Sequence, residues 1–209
     1  AAIETLQQIE NEHRIATQEE QQILSGYVGW GGLSEAFDEK NGAWYNEYQK
    51  LKSLLSPEEY ASARESTLNA HYTSPIIIRS IYDTLGRMGF EKGNILEPSI
   101  GIGNFFGMLP ERMQDSRLYG VELDSLTGRI AKQLYPKAEI QISGFEKTNH
   151  PKDFFDVVVG NVPFGQYKVA DKPYDKHNFL IHDYFLAKSL DKVRPGGIVA
   201  VVTSKGTMD

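Results

Sequence analysis

The chain has 209 residues, 40% of them hydrophobic and 24% charged, which is typical of a soluble globular domain with an appendage. It contains no cysteine, so disulfides, cysteine-based zinc sites and a cysteine nucleophile are excluded. No apolar run approaches the roughly 20 residues that span a bilayer, and the N-terminus lacks the basic and apolar regions of a signal peptide. We therefore expect a cytoplasmic protein without a membrane contact, and the missing initiator Met suggests a fragment.

Charge is unevenly distributed along the chain. Residues 1–50 hold nine acidic and three basic residues, and this stretch therefore accounts for the whole formal net charge of −6. A stand-alone DNA-binding protein usually carries a basic face, because contacts with phosphates supply most of the non-specific affinity. If this chain acts on DNA, we expect much of the binding to come from regions outside it.

The first 70 residues have the pattern of a helical extension. A first helix is predicted from the spacing of its apolar residues, Ile3, Leu6 and Ile9. Thr17 and Glu20 form a capping box for a second helix that contains Ile23 and Leu24. The aromatic and glycine turn at 27–33 is either a loop over a ligand or a tight turn anchored in a core by Trp30.

Two further helices precede the central part of the chain. Ser56 caps one that begins at Pro57 and has Tyr60 and Ala63 on its inner face. Another is expected from Pro75 to about residue 88, with an inner face formed by Ile77, Ile81 and Leu85.

From residue 94 onward, apolar strands alternate with helices. Strands are predicted at 94–97, 118–122, 138–142, 155–160 and 197–203. Helices are predicted near 104–113, 125–135 and 178–193. This alternation indicates an α/β fold with a parallel sheet covered by helices.

A glycine turn follows the first of these strands. Gly101 and Gly103 allow the backbone to approach a ligand closely at the carboxyl end of the strand. A nicotinamide-binding fingerprint would require a third glycine where this chain has Phe106. The turn therefore favours a nucleotide-like ligand but argues against a dinucleotide oxidoreductase.

Glu122 ends the second strand. An acidic side chain at this position can accept hydrogen bonds from both hydroxyls of a ribose. The number of residues between the glycine turn and Glu122 is that of a strand–turn–helix–strand unit. The combination therefore favours Glu122 as a residue that binds a nucleoside over Glu122 as a solvated acid at a strand end.

The segment Asn161-Val162-Pro163-Phe164 follows the buried strand at 155–160. An asparagine amide oxygen and a main-chain carbonyl can together accept two hydrogen bonds from an exocyclic amine. Pro163 stiffens the loop, and Phe164 offers a face for a planar base. Asn and Pro are also common in ordinary turns, so this segment gains its meaning from the glycine turn and Glu122.

The order of these motifs resembles that of the amino-group DNA methyltransferases, and in particular the N6-adenine enzymes of the gamma arrangement. The segments that carry the resemblance are Tyr72-Thr73-Ser74-Pro75, Glu97-Pro98-Ser99-x-Gly101-x-Gly103-Asn104-Phe105, Glu122 and Asn161-Val162-Pro163-Phe164. The stretches at 27–37 and 66–71 resemble the methylase part of very large bacterial and mobile-element proteins, in which it is joined to a helicase. No helicase nucleotide-binding motif occurs in these 209 residues.

The resemblance implies a Rossmann-like sheet that binds S-adenosylmethionine at residues 71–209, incomplete after about the fifth strand, behind a helical extension at 1–70. It also implies DNA as the substrate and a helicase domain elsewhere in the same protein. The implied cofactor-binding residues are Tyr72, Thr73, Glu97, Pro98, Ser99, Gly101, Gly103, Phe105, Glu122 and Phe145. The implied catalytic residues are Asn161, Val162, Pro163 and Phe164, which would orient and stack the target adenine.

The chain departs from the family pattern at two site positions. Val162 stands where the family usually has a first proline, although its carbonyl is retained. Gly144 stands where an aspartate often contacts the adenine of the cofactor, so Glu146 or a backbone group would replace it. Methylation of a protein glutamine or an RNA base, or a non-catalytic module within a larger DNA-processing protein, are the alternatives that stay open.

The remaining candidates carry less information. His177 and His182 are five residues apart without an acidic metal-binding pattern, so no metal is predicted and His182 is interpreted as a surface or packing residue. The segment 165–177 carries Lys168, Lys172 and Lys176 against two aspartates. It is either a loop near DNA or a solvated surface loop.

Overall fold

The structure is a computed structural model and describes residues 1–67 and 72–204. The helices of the extension are α1 Ala2–Asn11, α2 Gln18–Ser25, α3 Tyr45–Leu54 and α4 Pro57–Ser66. They are followed by α5 Pro75–Arg87, α6 Asn104–Gly107, α7 Ser125–Leu134 and α8 Ile181–Lys192. The strands are β1 Asn94–Glu97, β2 Arg117–Glu122, β3 Glu139–Ile142, β4 Phe155–Asn161 and β5 Val193–Val202. Most of the predicted segment 66–71 lies outside the described residues.

The five strands form one parallel sheet in the order β3-β2-β1-β4-β5. The expected fold class is therefore confirmed. The chain builds the sheet outward in one direction from β1 to β3 and then crosses to the other side of β1 for β4. The carboxyl ends of β1 and β4 consequently meet at the point where the strand order reverses, which is where open α/β sheets bind their ligands.

Side chains alternate between two cores because neighbouring strand residues point to opposite faces of the sheet. On β1, Ile95 packs in a cluster with α5, and Leu96 packs in a cluster with α8. β4 alternates in the same way, with Val157 facing α5 and Val158 facing α8. Strands buried on both faces account for the near-continuous apolar runs in the sequence.

The strand predictions agree with the structure except at β5, which begins at Val193, earlier than predicted. The helix predicted at 104–113 was too long, because α6 ends at Gly107 and a short 3₁₀ turn follows at Glu111–Met113. Pro110, which lacks a backbone N–H and restricts the residue before it, cannot continue a regular helix across this gap.

The inner face of α5 also differs from the prediction. Ile78, Tyr82 and Leu85 are buried, whereas Ile77 is 44% exposed. Both sets have helical spacing, because three consecutive isoleucines make the apolar stripe ambiguous by one position. Tyr82 fixes which face of α5 is buried, because its hydroxyl donates a hydrogen bond to the carbonyl of Phe105 at 2.9 Å.

The predicted capping box of Thr17 with Glu20 and the predicted cap at Ser56 are both confirmed, and Ser56 also forms a capping box with Glu59. Helix α3 was not predicted, because its Tyr and Lys residues give a weak apolar stripe with only Tyr48 buried. Trp30 is buried and lies edge-on to the rings of Tyr27 and Phe37, as expected for a turn anchored in a core.

The extension packs against α7 and shares a core with it. Leu126 and Ile130 of α7 are buried in the same cluster as Leu6, Leu24 and Trp30 of the extension. Polar contacts border this core: Gln21 donates to the carbonyl of Gln133, Ser62 donates to Asp124, and Arg129 pairs with Glu59. No helix within the described ranges is both long and apolar enough to cross a membrane.

Candidate functional site

The glycine turn connects the ends of β1 and β2. The amide of Ile100 donates to the carbonyl of Val121 at 2.9 Å, and the amide of Gly101 donates to Oε2 of Glu122 at 2.8 Å. Gly101 has a φ of +57°, and a Cβ added there would meet no heavy atom within 4 Å. The turn therefore presents bare backbone to open space at the carboxyl edge of the sheet.

Gly103 has a different role in the same turn. Its φ is +84°, and a Cβ added there would lie 2.3 Å from the ring of Tyr135. The hydroxyl of Tyr135 donates to the carbonyl of Gly103 at 2.7 Å. Gly103 is thus required for packing against α7, whereas Gly101 faces the space available to a ligand.

Glu122 holds the turn in place while keeping acceptor capacity. Its second oxygen, Oε1, accepts a hydrogen bond from the amide of Asp124 at 2.9 Å. Burial raises the pKa of Glu122 to about 7, although the hydrogen bonds from the amides of Asp124 and Gly101 lower it. Each carboxylate oxygen has a further lone pair, so the group can still accept hydroxyl donors.

Glu97 is the last residue of β1, at the same carboxyl edge of the sheet as Glu122, and is 2% exposed. Burial, and then the proximity of Glu122, raise the pKa of Glu97 well above its usual value. Its Oε2 atom is buried and has no hydrogen-bond partner within residues 1–67 and 72–204. A buried, unsatisfied carboxyl oxygen is costly, which indicates a position that is completed by a bound group.

The end of β4 approaches Glu97 closely. Gly160 has a φ of +145°, and a Cβ added there would lie 3.2 Å from Cγ of Glu97 and 3.7 Å from Cδ of Pro98. Asn161 is the last residue of β4 and aligns with Val202 on β5. The fold therefore brings together the motifs around Glu97 and Asn161, which are more than sixty residues apart in the sequence.

The predicted Asn161 loop continues from this strand end. The amide of Val162 donates to the carbonyl of Val202 at 3.0 Å, and the Val162 side chain is buried in the α8 core. Pro163 and Phe164 are partly exposed. The loop is therefore anchored at Val162, whereas Phe164, two residues further along, stays partly exposed.

The remaining predicted cofactor residues occupy several environments. Thr73 is buried just before α5, whereas Tyr72 is 69% exposed. Pro98 is buried and Ser99 is half-buried in the turn. Phe105 lies in the α5 core beneath the turn, with its ring edge-on to that of Tyr82.

Phe145 is also buried, on the α8 side of the sheet. Its ring packs against Phe185, with the ring centroids 5.1 Å apart, and Nζ of Lys188 lies 5.0 Å from the ring centroid. Lys188 donates to the carbonyl of Phe145 at 2.7 Å. The structure therefore places Phe145 in a packed wall between β3 and α8.

Lys188 was not identified from the sequence. It shares the inner face of α8 with Ile181, Tyr184 and Phe185, which are spaced as on one side of a helix. A lysine at such a position signals a buried cation with a specific partner, since lysine is almost never fully buried unless paired. His182 is likewise buried on α8, so its packing role is confirmed and a surface location is wrong.

In the part of the chain that the structure describes, no three His, Asp or Glu side chains are grouped so that they could hold a metal ion.

A separate cavity of about 590 Å³ lies at the opposite edge of the sheet. It lies at the amino-terminal ends of β2 and β3 and is lined by residues such as Arg117, Pro136 and Lys137. None of the motif residues lines it. We place the candidate site at the carboxyl edge, because the unsatisfied oxygen of Glu97 and the strand crossover are both there.

Comparison with known proteins gives two informative relatives in sequence. The chain is 32% identical over 191 residues to "Defense against restriction protein B" of Escherichia phage P1. The aligned region covers 89% of this chain and 7% of the phage protein. It is 34% identical over 104 residues to the type II methyltransferase M.CvrRI of Paramecium bursaria Chlorella virus XZ-6E, covering 49% of this chain and 26% of that protein. The chain thus spans only a small part of both relatives, and no family model matches it.

Solved structures give the fold. A methyltransferase subunit of a type I restriction-modification system from Streptococcus thermophilus superposes with a TM-score of 0.53 at 15% identity, covering 80% of this chain and 44% of that chain. A class I S-adenosylmethionine-dependent methyltransferase from Listeria monocytogenes superposes with a TM-score of 0.51 at 18% identity, covering 99% and 75%. The five-stranded parallel sheet therefore has the Rossmann-like fold of S-adenosylmethionine-dependent methyltransferases.

Proposed function

We propose that this chain, which has the fold of S-adenosylmethionine-dependent methyltransferases, transfers a methyl group from S-adenosylmethionine to the N6 amine of adenine in DNA. The observation that carries the proposal is the convergence of Glu97, Gly101, Glu122 and the Asn161 loop at the strand crossover. The names of both sequence relatives, one a methyltransferase and the other a protein of defence against restriction, support a reaction on DNA.

The site residues fit this cofactor in charge and shape. The open side of Gly101 accommodates close approach of a ligand to the backbone. Glu122 would accept the ribose hydroxyls through its remaining lone pairs. The unsatisfied oxygen of Glu97 would face the methionine half, whose ammonium group is a suitable partner for a buried carboxylate.

When bound, S-adenosylmethionine supplies a methyl group activated by its positive sulfonium. The residues of this chain would present the acceptor. The Asn161 side-chain oxygen and the Val162 carbonyl would accept hydrogen bonds from the target amine and direct its lone pair toward the methyl group. Catalysis would then rest on positioning and on stabilisation of the positive charge that develops at the amine, without a covalent intermediate, and the methylated amine would release its extra proton to water.

The target base must leave the DNA stack to reach this edge of the sheet. The partly exposed ring of Phe164 is suited to stack on the extruded adenine, since base–aromatic stacking contributes about 1–3 kcal/mol. Pro163 restricts the backbone between the hydrogen-bonding and stacking residues. The loop would thus hold both the plane and the amine of the base.

Substitution of Asn161 tests the assignment. Asn161→Ala is expected to lower methylation of DNA at least about a hundredfold, as for other groups that orient or stabilise a transition state. Binding of S-adenosylmethionine, measured by calorimetry, should change little, because the amide faces the acceptor rather than the cofactor. Transfer of labelled methyl to DNA, RNA and protein acceptors would be compared for the same preparations.

Asn149→Ala is the matched control, because Asn149 is exposed in the turn before β4. Its methylation rate should equal that of the unsubstituted protein. Undiminished methylation by the Asn161 variant would refute the catalytic assignment, and labelling of RNA or protein in preference to DNA would refute the substrate.

A further inference from the structure

In the loop between β4 and α8, basic side chains are exposed while an acidic side chain is buried, which the sequence alone does not show. We define the lysine loop as residues 165–180, which follow Phe164 directly. It carries three lysines, Lys168, Lys172 and Lys176, and two aspartates, Asp171 and Asp175. All three lysines are exposed.

Asp171 points inward. Its side chain is 10% exposed, and its Oδ2 accepts hydrogen bonds from Nζ of Lys188 at 2.8 Å and from the hydroxyl of Tyr184 at 2.6 Å. Burial alone would raise the pKa of Asp171, but the hydrogen bonds from Lys188 and Tyr184 outweigh it and lower the pKa. The carboxylate is therefore charged and neutralised internally by a lysine that is itself 4% exposed.

Other contacts fix the course of the loop. The amide of Ile181 donates to the carbonyl of Tyr167 at 2.9 Å, and the hydroxyl of Tyr174 donates to Asp191 on α8 at 2.7 Å. Val169 and Phe179 pack against the α8 core that also contains Val162. The loop is thus tied to the helix and to the base of the Asn161 loop.

The consequence is a locally basic surface on an acidic protein. With Asp171 paired inside, the exposed lysines Lys168, Lys172 and Lys176 are opposed within the loop only by Asp175. The acidic extension packs with α7, whereas the lysine loop packs with α8 against the opposite face of the sheet. The acidic extension, which accounts for the net charge of the chain, therefore lies away from the loop.

We propose that the lysine loop binds the phosphate backbone of double-stranded DNA next to the base held by the Asn161 loop. The inference rests on the proposed function, because it takes DNA as the substrate of the adjacent site. Lysine is a point-charge donor for phosphate and needs no fixed geometry. The anchored loop would reduce the conformational entropy lost on binding.

The test is the salt dependence of DNA binding by Lys172→Gln/Lys176→Gln. Affinity for a duplex would be measured by fluorescence anisotropy between about 50 and about 200 mM salt. Each lost phosphate contact reduces the slope of log affinity against log salt by about 0.9, so the double variant should lose about 2 from the slope. An RNA duplex of the same sequence provides the second arm.

Lys92→Gln/Lys137→Gln is the matched control. Both of these lysines are exposed and precede strands at the opposite edge of the sheet. The control therefore removes the same charge as the loop variant, but from a different part of the surface. The control should retain the slope of the unsubstituted protein.

The possible results separate the two proposals. A slope reduced in the loop variant alone supports the inference. An equal reduction in both variants, an unchanged slope in the loop variant, or tighter binding of RNA through these lysines overturns it. Loss of methylation in the Asn161 variant would still support the proposed reaction if the slope were unchanged. Conversely, intact methylation of DNA in that variant would refute the catalytic role of Asn161 and leave the slope result to stand as a DNA contact.

Discussion

Glu122 combines two tasks at the residue scale, because it holds the glycine turn and is proposed to bind the ribose. Its pKa of about 7 lies far above the usual value for a glutamate, and burial is the main cause. Ionisation therefore changes within the range in which proteins are commonly assayed. The charged form is the better acceptor for hydroxyl donors.

We predict that the affinity for S-adenosylmethionine rises with pH through this pKa. Between pH 6 and pH 8 the ionised fraction of Glu122 would increase from roughly a tenth to nine-tenths, so calorimetry should show up to about tenfold tighter binding. Glu122→Gln should bind more weakly with this pH dependence removed. Equal affinity of the unsubstituted protein at both pH values would contradict the assignment of Glu122.

The same shift has the opposite effect on the stability of the unliganded protein. The folded-state pKa is raised above the unfolded value, so the stabilising contribution is complete below about pH 4.5 and is lost as pH rises through about 7. Affinity is thus expected to rise mainly between pH 6 and pH 8, whereas stability falls between about pH 4.5 and about pH 7. Burial also raises the pKa of Glu97, the neighbouring acid, so Glu97 contributes to stability with the same sign as Glu122.

At the scale of a structural element, the glycine turn contains two glycines whose substitution by alanine should have different effects, one mainly on stability and the other mainly on ligand affinity. Gly103→Ala would place a methyl against the ring of Tyr135 at a positive φ, and we expect a loss of roughly 3 kcal/mol in the free energy of unfolding. Gly101→Ala adds a methyl in open space, so only about 1 kcal/mol of stability should be lost. The affinity for S-adenosylmethionine should nevertheless fall at least about tenfold for Gly101→Ala, because the methyl occupies the space proposed for the ligand.

Denaturant unfolding and calorimetry would distinguish these effects, with Gly89→Ala as the control. Gly89 has a positive φ of 87° and open space around it, but it lies after α5, at the amino-terminal end of β1. Its substitution should reproduce the small stability loss of Gly101→Ala without changing the affinity. An unchanged affinity for Gly101→Ala would show that the ligand does not approach this backbone.

How well the elements could be predicted depended on the strength of local signals. The strands were found because β1 and β4 are buried on both faces, which gives apolar runs bounded by glycine and polar residues. The glycine turn and Glu122 could be placed at one edge because parallel strands end together. By contrast, the short α6 and the face of α5 depend on tertiary contacts, such as that of Tyr82 with Phe105, that no local pattern encodes.

The candidate site shows the same limit. Sequence motifs predicted Asn161 and Glu97 as site residues, but they did not reveal that Phe105 and Phe145 are packed in cores on opposite faces of the sheet. The pairing of Lys188 with Asp171 links residues that belong to a helix and a preceding loop. Only the fold shows that this pairing turns a nearly neutral segment into an exposed basic one.

At the scale of the whole molecule, the extension shares one hydrophobic core with α7, the helix between β2 and β3. The outer face of α7 buries Leu126 and Ile130 in the cluster formed with the extension, whereas Ala131 faces the sheet side of the same helix. Burial of one such side chain contributes about 1.5–3 kcal/mol, a large share of the stability of a small domain. Ile102 of the glycine turn is partly buried against this same cluster, so the turn packs on a core that the extension helps to form.

We therefore predict that a chain lacking residues 1–66 does not form a stable monomer. It would expose Leu126 and Ile130, and we expect aggregation in size-exclusion chromatography and loss of a cooperative thermal transition. Leu126→Gln/Ile130→Gln should improve the solubility of the shortened chain but destabilise the full one, because the same positions are solvent-facing in the first and core in the second. A shortened chain that stays monomeric and unfolds at the temperature of the full protein would show instead that the extension is an independent appendage.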